Sequence, residues 1–246
     1  VRMLDNVIDL NNIPVLQAKL TNEKYRAVGL GTFGWHHLLA LKQIRWESED
    51  AVHYADTLYE QIAYLVIQAS MNLAKEKGAY PVFEGSSWHT GDYFDQKGYG
   101  DHWNELKQQV KTYGIRNGYL MAVAPNATTS IIAGSTASID PIFRKAYSEE
   151  KKNYKIPVTA PDLSAQTTWY YKSAYQIDQL WSIKQNAARQ RHIDQSISFN
   201  MYVENNIHAK DLLNLHLTAW KEKLKTTYYV RSKSSNMDDE CESCHS

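Results

Sequence analysis

Residues 196–230 read SISFNMYVENNIHAKDLLNLHLTAWKEKLKTTYYV. The first eight alternate, with Ile197, Phe199, Met201 and Val203 on one side, which predicts a strand. HAKDLLNLHLTAWKEKL (208–224) gathers Leu212, Leu213, Leu215, Leu217 and Trp220 into an amphipathic helix. TTYYV (226–230) combines β-branched and aromatic residues and predicts a second strand. Strand, helix and strand in that order predict a parallel pair joined by a right-handed crossover. The fold class is therefore α/β.

Working outward, YLMAVA (119–124) predicts another short buried strand that stops at Pro125. WESEDAVHYADTLYEQIAYLVIQASMNLAKEKG (46–78) is the strongest helix. Ser48 can cap it, Glu49 and Asp50 suit the positive end of its dipole, and Gly78 can end it. Its apolar positions, Ala51, Ala55, Leu58, Ile62, Leu65, Val66 and Ala69, recur at helical spacing. An earlier helix is expected within Tyr25 to Gln43, and a helical region from Pro161 to about Arg191. The opening VRMLDNVIDL reads like the middle of an element, so the amino end of something larger is expected to be missing. Residues 231–246 are polar and are expected to form a disordered tail.

With 27 basic and 27 acidic side chains the chain carries no formal charge, which argues against a nucleic-acid or anionic-membrane partner. No apolar run approaches the roughly 20 residues of a membrane span. Cys241 and Cys244 are the only cysteines, too few for a disulfide framework, so a cytoplasmic setting is the default.

Four motifs bear on chemistry. GLGTFG (29–34) matches a dinucleotide fingerprint, with Glu49 and Asp50 about 20 residues on. That fingerprint needs a buried strand before its first glycine, and NEKYRA (22–27) is too polar. Glycines that let a helix pack closely are the expectation, with His36 and His37 in packing roles rather than on a metal. In APNATTSIIAGSTASIDP (124–141), a strand ends at Pro125 and runs into Asn126, Ala127, Thr128, Thr129 and Ser130. A hydroxyl-rich helix start offers free N–H groups to a phosphate; an ordinary Ser/Thr cap is the alternative. Tyr228 and Tyr229 are adjacent strand residues, so one is expected toward a core and the other toward a cleft. Cys241 and Cys244 form C-x-x-C among Asp238, Asp239, Glu240 and Glu242. The choice there lies between a mobile dithiol that exchanges with a buried disulfide and two incidental cysteines.

The order of these signals is more specific than any one of them. VRMLDNVIDLNNIPV, KYRAVGLGTFGWHHLLA, RNGYLMAVAPNATTSIIAGSTASIDPIF, RQRHIDQSISFNMYV, TTYYVRSK and CESC together resemble the carboxyl-terminal part of the large subunit of class I ribonucleotide reductase. The resemblance implies the later strands of a ten-stranded α/β barrel over residues 1–230, followed by a flexible redox tail, 231–246. It implies that Pro125, Asn126, Ala127, Thr128, Thr129 and Ser130 bind the substrate diphosphate. Many relatives carry Glu at one position of that loop, and Ala127 standing there is a departure. It also implies that Tyr228 and Tyr229 relay a radical and that Cys241 and Cys244 re-reduce the active site.

The implied partners are the amino-terminal part of the large subunit, a radical-generating small subunit, a thioredoxin- or glutaredoxin-type reductant and a ribonucleoside diphosphate. No cofactor is implied for this chain; the metal-radical cofactor is expected in the small subunit. The thiyl-radical cysteine, the cysteine pair that reduces the 2′-carbon and the effector site have no counterpart in this sequence. The chain is thus expected to be inactive alone. A non-catalytic half-barrel that binds or assembles is the rival reading. A nicotinamide dehydrogenase built on GLGTFG is disfavoured by the missing strand.

Overall fold

A computed structural model describes residues 1–151 and 154–233. The chain divides into two compact units. The first holds Val1–Leu30, Thr57–Ala122 and Arg191–Gln195; the second holds Gly31–Asp56, Val123–Gln190 and the chain from Ser196 onward.

In the first unit, the opening residues form the helix Arg2–Leu10. Val28 and Leu30 donate backbone hydrogen bonds to Tyr119 and Leu120, and Ala122 donates back to Leu30, a short parallel pairing. The first glycine of GLGTFG lies in this extended segment. A Cβ on Gly29 would stand 3.2 Å from that of Ala122, so glycine permits the close approach there. Gln195 adds a backbone bond to Met121, and the Asp194 carboxylate accepts the N–H groups of Leu120 and Met121 at 2.7 Å each.

In the second unit, Gly34 opens the helix Trp35–Leu41 with φ +78°. Only glycine suits this place, because a Cβ would meet the Ser135 hydroxyl at 2.3 Å. Trp35 donates its indole N–H to Gln185, Gln185 donates to the Trp46 carbonyl, and Trp46 donates to Ser182. Ser182 and Gln185 come from the helix Gln179–Gln190. Buried donors thus find buried acceptors, as the cost of an unmade hydrogen bond requires. His36 is fully buried between Trp46 and Tyr171. Its Nδ1 accepts the Ile142 N–H, which leaves Nε2–H to donate to the Tyr170 carbonyl.

The long helix runs Glu49–Lys77, with the Ser48 hydroxyl accepting the Ala51 N–H at 3.2 Å and Gly78 ending it at φ +84°. Its buried stripe is Ala51, Ala55, Tyr59, Ala63, Val66 and Ala74. Leu65, expected inward, is 62% exposed: the inner face, which also holds Ile67, Met71 and Leu73, mixes alanines with large apolar side chains, and Leu65 falls outside it.

The predicted strand–helix–strand stands in the second unit. Strands β3 (Met201–Val203) and β4 (Val230–Ser232) pair in parallel, flanking the helix Ala209–Lys221. Val123 and Ile197 form a further parallel bridge. Alternation misled in one respect. Asn200 and Tyr202 are as buried as Ile197, Phe199 and Met201, because a parallel strand is covered on both faces. On the intervening helix, Leu213, Leu217 and Trp220 are exposed.

Strands β1 (Ala146–Lys151) and β2 (Tyr154–Thr159) form an antiparallel pair that sequence reading missed, since charge and Pro157 hide any period-two pattern. The helical region expected from Pro161 starts only at Gln179; turns and a short 3-10 segment, Ala174–Gln176, precede it. Arg231 and Ser232, expected in the tail, belong to β4. The architecture is mixed helix and sheet, with its named strands in two-stranded sheets. No described helix is long and apolar enough to cross a membrane.

Candidate functional site

Pro125 ends the segment that carries Val123, and Asn126 occupies the N-cap position of the short helix Ala127–Ile132 without a side-chain bond to its N–H groups. Asn126 is tied twice. Its backbone N–H donates to the Ser138 hydroxyl at 3.1 Å, and its side-chain amide donates to the Ala124 carbonyl at 3.0 Å. Ser130 is buried and turns its hydroxyl back onto the Ala127 carbonyl at 2.6 Å. Of the loop hydroxyls expected as donors, that of Ser130 is directed within its own helix. Thr128 and Thr129 are exposed. The first N–H groups of any helix have no partner inside it. The loop accordingly presents two threonine hydroxyls and a short row of backbone donors.

The tyrosine pair sits just ahead of β4. The Tyr228 N–H donates to the Phe199 carbonyl, and the Met201 N–H donates to the Tyr229 carbonyl, so the backbone is held as strand. The side chains do not part to opposite faces as neighbouring strand residues usually do. Their ring centroids are 4.0 Å apart, and the Tyr228 hydroxyl donates to the Tyr229 hydroxyl at 3.3 Å. Both rings are about half exposed, at 49% and 46%. The hydrogen bond to Tyr229 holds the Tyr228 phenol above its ordinary pKa, because losing the proton would break it.

The loop and the pair share one cleft, lined by Pro125, Ala127, Asp140, Tyr228, Tyr229 and Arg231. Thr128, Thr129 and Ser130 do not line it, whereas Ala127 and Ser130 also face a second hollow beside Ser135 and Thr136. Sequence reading missed Asp140, Asn200, Tyr202 and Arg231, all of which line the first cleft. One signal was available: Asn200 stands between the apolar residues Phe199 and Met201 within the predicted strand, where a buried amide needs a partner. Cys241 and Cys244 lie outside the described residues.

The comparisons bear on this arrangement. A family profile described as "Ribonucleotide reductase, barrel domain" matches residues 1–230. The ribonucleoside-diphosphate reductase subunit alpha of Treponema pallidum (strain Nichols) is 50% identical over 239 residues, covering 97% of this chain and 28% of the relative. The protein of that name from Helicobacter pylori (strain ATCC 700392 / 26695) is 44% identical, covering 97% of this chain and 32% of the relative. A Synechocystis counterpart is 33% identical, covering 99% and 34%. The chain thus spans about a third or less of the length of these relatives.

Proposed function

Because the chain belongs to the ribonucleotide reductase barrel-domain family, we propose that it is the carboxyl-terminal part of a ribonucleoside-diphosphate reductase large subunit. Its parallel strand segments are then later strands of the ten-stranded barrel. It contributes substrate diphosphate binding, radical relay and re-reduction to the conversion of ribonucleoside diphosphates into deoxyribonucleoside diphosphates. The observation that carries this reading is the joining of the Pro125–Ala127 loop and the Tyr228–Tyr229 pair in one cleft.

In the relay, an oxidising equivalent arrives from the small subunit, where the metal-radical cofactor resides. A phenoxyl on one tyrosine takes an electron and a proton from the other, so the first phenol is restored and the radical has moved one ring. Hydroxyl oxygens 3.3 Å apart allow both particles to cross together. At the loop, the N–H groups of Ala127 to Thr129 and the hydroxyls of Thr128 and Thr129 take the diphosphate oxygens, helped by the positive end of the helix. Asn126 and Ser130 hold the loop in shape. Ala127 supplies no carboxylate, so binding there is by donors alone.

Cys241 and Cys244 act as the shuttle dithiol, accepting electrons from a thioredoxin- or glutaredoxin-type protein and passing them to the active-site disulfide. Both cysteines of this chain are committed to that role. The radical cysteine and the reducing pair must then come from the amino-terminal part of the subunit, and this chain is inactive without it.

The test is reconstitution with that part and a small subunit. Tyr228→Phe and Tyr229→Phe should each abolish diphosphate reduction while changing stability by about 1 kcal/mol, the value of one hydrogen bond. Normal turnover by either variant would remove that tyrosine from the relay.

A further inference from the structure

The cleft contains a group that the relay itself does not use. Asp140 is buried, and its Oδ2 accepts the Asn200 side-chain N–H at 2.6 Å and the Tyr202 hydroxyl at 3.3 Å. At the other end of the same amide, Asn200 Oδ1 accepts the backbone N–H of Tyr229 at 3.2 Å. An ionised carboxylate can only accept, so it admits the NH2 end of Asn200 and turns the oxygen toward Tyr229. Asp140 thereby selects the one amide orientation that can hold the tyrosine backbone. Arg231 closes the group, with its guanidinium 5.3 Å from the Tyr229 ring centroid.

We infer that Asp140 is a positioning residue for the tyrosine pair, acting through Asn200, and that protonating it releases the hold on Tyr229. Its consequence for turnover rests on the relay reading above; the hydrogen-bonded chain itself does not. A protonated carboxyl can donate as well as accept, so it no longer imposes one orientation on the Asn200 amide, which is free to turn over. The NH2 group then confronts the Tyr229 N–H, donor against donor. Burial pushes the Asp140 carboxyl up to about 6, against the hydrogen bonds of Asn200 and Tyr202 and the charge of Arg231. The other ionisable groups lining the cleft are Tyr202, Tyr228, Tyr229 and Arg231. None of these side-chain types ordinarily titrates near neutrality, so a transition there reports Asp140.

Two readouts separate this inference from the relay. In the full chain carrying 3-fluorotyrosine at position 229 alone, the fluorine resonance should shift with a midpoint near pH 6. The shift should disappear in Asp140→Asn and persist in Asp140→Glu. In the reconstituted enzyme, turnover should fall about tenfold below that midpoint, ~1.4 kcal/mol of barrier, with the KM for the diphosphate unchanged. Asp140→Asn should remove the inflection. A resonance with no inflection between about pH 5 and 7.5 in the unmutated chain overturns the inference, and so does an inflection that survives Asp140→Asn. The titration of the unmutated chain decides the matter even where Asp140→Asn does not fold. An inflected resonance together with full activity of Tyr229→Phe sinks the relay and leaves the positioning role standing.

Discussion

Asp5, in the first unit, and Asp140, in the second, are both withdrawn from water, at 0% and 7% exposure, yet their surroundings are opposite. Asp5 is enclosed by cations. Arg26 reaches its Oδ1 at 2.8 and 2.9 Å, Arg116 its Oδ2 at 3.3 Å and Lys77 the same oxygen at 3.4 Å, while the Asn117 amide adds a bond at 3.1 Å. Burial alone would raise its pKa, but the hydrogen bonds and charges of Arg26 and Arg116 outweigh burial and hold the carboxyl below its ordinary value. Asp140 receives direct hydrogen bonds from a neutral amide and a neutral hydroxyl, with Arg231 acting on it through charge. Burial wins there and the carboxyl titrates high. A compensated buried charge ties elements together. An under-compensated one costs stability and is retained for what it orients.

The comparison can be broken most forcefully at Arg26. Arg26→Ala leaves Asp5 buried beside weaker partners and should cost about 3–5 kcal/mol in denaturant unfolding. A loss below about 1 kcal/mol, the range of exposed ion pairs, would show that the cluster does not hold the first unit together. Next in size is His36, which burial pushes down to about 4. Its unfolded form binds a proton from about pH 6.5 downward while the folded form does not. Stability is therefore lost as pH falls from about 6.5 toward 4, by up to ~3.5 kcal/mol. His36→Gln should flatten that slope, and an unchanged slope would mean that His36 is charged where it lies.

Asp140 should give the opposite sign and a slightly smaller effect. Its folded pKa lies above its unfolded value, so the folded state holds the proton longer. Stability then falls as pH rises from about 4 through about 6, by up to ~3 kcal/mol. The difference between Asp140→Asn and the unmutated chain should accordingly grow in favour of the variant over that window. A constant difference would place Asp140 with Asp5 as a compensated group.

The legible parts of this chain are those whose causes lie within a few residues. The Ser48 cap, the Gly78 stop, the long helix and the β3–helix–β4 order all follow from local period and capping chemistry. Tyr228 and Tyr229 were identified by their place in an ordered set of motifs. That their rings would meet, and not point apart, was unreadable, because the pleat alone predicts opposite faces. The β1–β2 pair was invisible for a different reason: charged residues and a proline carry no alternation to detect.

By itself, then, the sequence determined the long helix, the strand–helix–strand order and the family resemblance, and it supplied the residues of the loop, the tyrosine pair and the C-x-x-C. Only the tertiary structure decided that Asp140 meets Asn200 from 60 positions away, and that Asn200 in turn meets Tyr229 from 29. It also decided that Leu65 faces outward while its neighbours Val66 and Ile67 face inward. Short-range periodicity records which face of an element is buried. It carries no information on which distant polar group will satisfy a buried amide, because that is settled only when separate segments close around the same dry space.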